Sequence, residues 1–202
     1  MAYSKRKVFL LAVIAAWAAS MMLSGAVFAQ GTTRNRIDIQ NLFTPSGWMG
    51  DGEYGRKYIN FTGTSEENPH SPPVCIKISY VFGPTRWGGI YWQNQPDNWG
   101  DRPGNNYSKR GLRKVTFWAR GEKGGEVVEF KAGGIDAPGK KFRDSFVVTI
   151  GRQTLSREWK YYEIHLSDAD LSSMIGGFCW VASSDYNGEN RITFFLSEIS
   201  LE

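Results

Sequence analysis

After residue 36, hydrophobic and polar residues alternate with a period of two along most of this chain. From Val74 to Tyr80, the residues Val74, Ile76, Ile78 and Tyr80 alternate with Cys75, Lys77 and Ser79. From Glu126 to Ala132, Val128 and Phe130 stand against Glu129 and Lys131. Successive side chains of a strand point to opposite faces, so this pattern predicts strands with one buried face. The same reading places strands at Lys57–Gly63, Val74–Val81, Gly89–Gln93, Leu112–Arg120, Glu126–Ala132, Ser145–Ile150, Glu158–Leu166, Gly177–Ser183 and Arg191–Leu201. Gly121–Gly125, between two of them, predicts a hairpin connection. The longest turn-like stretch, Asn94–Tyr107, has the length of a functional loop. One helical turn is predicted at Ser167–Ile175, capped by Ser167 or Asp168. Many short strands with little helix predict an all-β chain, a single β-sandwich of the jelly-roll kind.

The start of the chain breaks this pattern. Lys5-Arg6-Lys7 precede an apolar run from Val8 to about Met22, and Val27 and Ala29 stand where signal peptidase reads modest or small residues. This predicts a signal peptide over residues 1–29, cut before Gln30. The alternative is a retained anchor, since the run from Val8 to Ala29 is long enough to cross a bilayer. No Cys lies near the cut, which speaks against a lipid anchor. Residues 30–39 are read as a flexible segment and residues 40–202 as one domain with one core. The expected location is secreted or periplasmic, at the cell envelope, with no membrane span once the leader is removed.

The leader also changes the charge. The chain carries 24 Lys+Arg against 20 Asp+Glu; the leader holds three of the bases and no acid, which leaves 21 against 20. A nucleic-acid surface needs a basic stripe, and Lys109-Arg110 and Lys140-Lys141 are too short to form one. Cys75 and Cys179 are the two cysteines. In an exported protein they either pair as a disulfide, which the polar-face position of Cys75 favours, or stay as two separate buried thiols.

Signals for catalysis are sparse. His70 and His165 are far apart in the sequence, no Gly-x-Ser-x-Gly elbow occurs, and no strand carries alternating carboxylates for glycoside hydrolysis. The aromatic content, 14% of the chain, is more informative. Tyr91 and Trp92 are adjacent in a strand, so one of them faces away from the core. Trp99 sits in the long loop near Gln93, Asp101 and Arg102. Exposed rings beside amides and charged groups suit sugars, because a pyranose has an apolar face and a rim of hydroxyls. A second candidate face holds Trp118 and Arg120, with Glu129 and Lys131 from the expected neighbouring strand.

The runs Cys75–Tyr80, Leu112–Gly121, Val128–Lys131, Glu158–Ile164 and Ile192–Ile199 together resemble the non-catalytic carbohydrate-binding modules of galactose-binding-like jelly-roll fold, of family 4, family 11 or CenC-like type. The resemblance implies a polysaccharide or glycan ligand on a sheet face or at loop tips, without enzymatic activity. It also implies a structural calcium between an early loop and the last strand. The Asp pair usual in that strand is replaced here by Ser197-Glu198, leaving Glu198 with Asp51 or Glu53 as candidate ligands. The alternative function is a structural or adhesive envelope protein that uses the sandwich to contact a cell-envelope protein; a jelly-roll glycoside hydrolase or lyase is the third reading.

Overall fold

The computed structural model describes residues 35–188 and 191–202. The expected signal peptide and its cut before Gln30 lie outside the described residues. Two antiparallel sheets face each other. The first contains β1 (Ile37–Asp38), β3 (Ile59–Ser65), β4 (Cys75–Tyr80), β6 (Lys114–Gly121), β9 (Lys160–His165) and β11 (Ile192–Leu201), in the order β3-β4-β11-β6-β9, with β1 also paired to β11. The second contains β2 (Thr44–Gly50), β5 (Trp87–Gln93), β7 (Val127–Gly133), β8 (Val147–Thr154) and β10 (Gly176–Ser183), in the order β2-β5-β10-β7-β8. Two short helices, α1 (Ile39–Leu42) and α2 (Ser184–Asn187), and a 3₁₀ segment at Asp51–Lys57 complete it. Among the described residues no helix is long and apolar enough to cross a membrane.

The alternating pattern puts one row of each strand between the sheets. Phe117 of the first sheet meets Phe130 and Phe178 of the second with ring centroids 4.7 and 4.9 Å away. Ile78, Phe194 and Leu196 line the same interior with Ile90, Trp92 and Trp180. Burying such rings and branched side chains is the dominant favourable contribution to folding.

Three expectations need correction, and one strand went unpredicted. Gly121–Gly125 is not a hairpin: β6 and β7 belong to different sheets, so the segment crosses the sandwich edge. Glu126 supports the crossing by accepting the Lys123 N–H at 2.8 Å. Ser167–Ile175 forms turns rather than helix. Asp170, not Ser167 or Asp168, organises it by accepting the Ser172 N–H at 2.9 Å, and burial of Leu171, Met174 and Ile175 fixes its path. The packed chain begins before residue 40, since Ile37 and Asp38 pair with Leu201 and Ser200. Strand β2 was not foreseen, because Pro45, Gly47 and Gly50 break the pattern; a sheet edge tolerates such residues.

Candidate functional site

The outer face of the second sheet is built from two side-chain rows. One runs Met49, Gly89, Val181, Glu129, Arg152 across β2, β5, β10, β7 and β8. The next runs Gly47, Tyr91, Cys179, Lys131, Thr149. Directly opposed residues of an antiparallel pair share a face, so Glu129, Lys131, Thr149 and Arg152 form one polar floor. The Thr149 hydroxyl donates to Glu129 at 3.2 Å.

Aromatic rings stand on both sides of this floor. At one side, Tyr91 and Trp99 meet edge-on with centroids 6.1 Å apart. They form a small apolar cluster with Ile135, Phe142, Ile175 and Cys179. At the other side are Trp87, 41% exposed, and Tyr186, 55% exposed. Trp87 pairs with Ser183, the residue just before α2, and α2 carries Tyr186. The Arg152 guanidinium lies 3.8 Å from the centre of the Tyr186 ring. Trp87 and Tyr91 are four residues apart on β5, about 13 Å along an extended strand. Neither Trp87 nor Tyr186 was anticipated; Trp87 shares the parity of Tyr91, which was the available signal.

The residues predicted around the long loop divide. Trp92 is fully buried on the inner face, edge-on to Phe61 and Phe178. Gln93 is fully buried too: its amide donates to the Asn98 carbonyl at 2.9 Å and accepts from Ser46 at 2.7 Å. Both are structural. Tyr91 lies on the outer face but is only 2% exposed, with its hydroxyl donating to the Gly133 carbonyl. Burial, aided by the neighbouring Cys179, pushes its pKa far up. Trp99 is half-buried. Asp101 is exposed and held by Lys140 at 2.6 Å. Arg102 is exposed and donates to the Pro96 carbonyl.

The loop owes its shape to Asn98, a residue the pattern did not single out. Its buried side chain donates to Asn94 and the Arg102 carbonyl and accepts from the N–H groups of Gly100 and Arg102. Gly100, at φ 105°, lets this loop touch the next one, because a Cβ there would come 2.3 Å from the Phe142 carbonyl oxygen. That second loop, residues 134–144, is tied down by the buried Asp144 carboxylate, which accepts from the N–H groups of Ile135, Ile175 and Gly176.

The expected second face does not assemble as predicted. Trp118 and Arg120 lie on the outer face of the first sheet, and Lys131 and Glu129 on the outer face of the second. The neighbours of β6 are β9 and β11, so Tyr161 and Ser197 flank Trp118 instead. The segment between β3 and β4 covers this side. His70 stacks on Trp118 at 3.7 Å. Arg120 is buried against Phe195 and donates to the Glu67 carbonyl at 2.7 Å. Trp159 donates to the Asn68 carbonyl.

The residues named for calcium are likewise not brought together. The Asp51 carboxylate is fully buried and already accepts four bonds, from Tyr80, Gly83 and both donors of Thr85. Glu198 accepts from Ser71 and faces His70. Tyr80, bonded to Asp51, pairs with Ile192; Glu198 is six residues further along β11, about 20 Å on an extended strand. Glu53 is exposed. These three carboxylates do not fit a shared ion. Among the described residues no group of three or more His, Cys, Asp or Glu could hold a metal.

Cys75 and Cys179 are free, buried thiols. Cys75 belongs to the first sheet and Cys179 to the second, each on the outward row. Their side chains diverge with a sandwich about 10 Å thick between them, beyond the reach of a bridge. The disulfide expectation is corrected on this ground.

The chain is similar in structure to carbohydrate-binding modules. It shares 14% identity with the family 11 module of the cellulosomal cellulase Lic26A-Cel5E of Clostridium thermocellum, covering 77% of this chain and 86% of that one, at a TM-score of 0.49. A family 30 module shares 15% identity over 83% of this chain and 98% of its own, at 0.48. The CBM22-1 xylan-binding domain of Paenibacillus barcinonensis Xyn10C shares 13% over 83% and 91%, at 0.47. No protein-family model matches the sequence, and a search of curated proteins returns no match. With so little identity, the likeness concerns the arrangement of strands and not the residues of a site.

Proposed function

We propose that this protein is an exported glycan-binding module that holds its ligand on the outer face of the second sheet and does no chemistry on it. The observation that carries this reading is the placement of Trp87, Tyr186 and Trp99 around a floor of Glu129, Lys131, Thr149 and Arg152. Apolar C–H faces of a sugar stack on such rings, and its hydroxyls bond to carboxylate, ammonium and guanidinium groups. Glu129 is the one carboxylate of this floor, which disfavours the paired-carboxylate mechanism of a glycoside hydrolase. The basic, apolar and small-residue order of residues 1–29 supports export.

The test is a glycan array with the purified protein, repeated with Trp87→Ala and Tyr186→Ala. Retention of at least one polysaccharide, lost in the two variants without a change in melting, supports the reading. If the wild-type protein retains none but captures an envelope protein through the same two rings, the face is a protein-docking surface and the structural alternative takes its place.

A further inference from the structure

We infer that the ligand of this face is an acidic glycan, one whose sugars carry carboxylates. This rests on the glycan-binding reading above and narrows it. The floor holds two cations and one carboxylate. Lys131 is half-buried with its ammonium 5.2 Å from the Tyr91 ring centre. Arg152 is laid on Tyr186. Neither makes an ion pair among the described residues. Glu129 stands directly across from Arg152, but its hydrogen bond comes from Thr149. At the rim, by contrast, Lys140 is neutralised by Asp101.

Both cations are held by rings rather than by acids. A ring contact fixes the direction of the charged group and leaves its N–H donors unspent. The planar guanidinium presents a fork that matches a carboxylate in two parallel bonds. A sugar stacked between the flanking rings would set its carboxylate against Arg152 or Lys131 and a hydroxyl against Glu129. A neutral glycan would use the rings and Glu129 but leave both cations without a counter-charge.

The experiment compares polygalacturonate, alginate and hyaluronan with methyl-esterified polygalacturonate, a neutral glucan and dextran sulfate, by affinity electrophoresis and calorimetry at two salt concentrations. At least one polyuronate should bind about tenfold more tightly than the neutral probes, with affinity falling as salt rises. Arg152→Gln and Lys131→Gln should each remove about tenfold of that preference and leave melting unchanged. Binding of the neutral or methyl-esterified probes as tight as that of the polyuronates would overturn the acidic-ligand inference while the glycan reading stands. So would a preference for dextran sulfate, or a polyuronate preference unmoved in both variants. Binding of no probe, in this panel and on the array, would end both.

Discussion

The imidazole of His70 lies flat on the indole of Trp118, ring centroids 3.7 Å apart and planes 19° apart. Tyr161 leans on the same indole with its ring centre 5.5 Å away, so two rings of the same chain enclose a half-buried Trp118, whereas Tyr186 stays 55% exposed beside its one contact with Arg152. Trp118 is therefore assigned to packing, although it lies on an outward strand face. Trp118→Ala should lower stability by about 2 kcal/mol, from lost burial and a lost aromatic pair. Glycan affinity should stay within twofold. Thermal melting and the array read the two effects separately, and a loss of affinity with normal melting would restore Trp118 to the site.

Trp92 and Tyr186 make the complementary pair of variants. Trp92 is wholly enclosed by the core, and its replacement by Ala should cost about 3–5 kcal/mol. Tyr186 is 55% exposed, so Tyr186→Ala should change stability by less than about 1 kcal/mol. It should nevertheless weaken glycan binding about tenfold, by the apolar area a stacked sugar would no longer bury. Equal and small effects of Tyr186→Ala on both readouts would place the ligand elsewhere.

The thiols give a third test. Denatured without reductant, the protein should release two titratable thiols per chain; none would mean a bridge that this fold cannot accommodate. In the native state Cys179 should resist alkylation, because it is fully buried and burial pushes its pKa up to about 12.

The sandwich was legible in the sequence because burial of one face imposes a period of two, and Val128, Phe130, Ile76 and Ile78 kept to it. Sheet membership was not legible. A chain leaving β6 after Gly121 can turn back or cross to the other sheet, and the five residues between the strands are compatible with both. That choice decided whether Trp118 and Lys131 shared a face. That one of Tyr91 and Trp92 faces outward was readable from their adjacency, and Trp99 from its loop position; which of the pair it is was not, because Gly88 and Gly89 before them interrupt the alternation. Tyr186 was not, since it lies on a four-residue helix with no period of its own. The role of Asn98 depends on four hydrogen bonds closed within its loop, which no pattern of apolar residues encodes.

Two buried aspartates should give opposite pH signatures. Burial raises the pKa of Asp144 from 3.8 to about 6, outweighing the N–H bonds from Ile135, Ile175 and Gly176 that act to lower it. The folded state then holds a proton that the unfolded state has released. The contribution of Asp144 to stability is full below about pH 4 and is lost as pH rises through about 6, a change of roughly 2–3 kcal/mol. Asp51 runs the other way: burial acts to raise its pKa, but the bonds from Tyr80, Thr85 and Gly83 together hold it below 3.8. Its contribution is present above that value and is lost as pH falls through the lowered one. Denaturant unfolding of wild type, Asp144→Asn and Asp51→Asn between pH 3 and 7 isolates each group, because every other titration cancels in the difference. Asp144→Asn should destabilise more at pH 4 than at pH 7, and Asp51→Asn more at pH 7 than at pH 3. Differences that stay parallel across this range would show that neither carboxylate changes its pKa on folding.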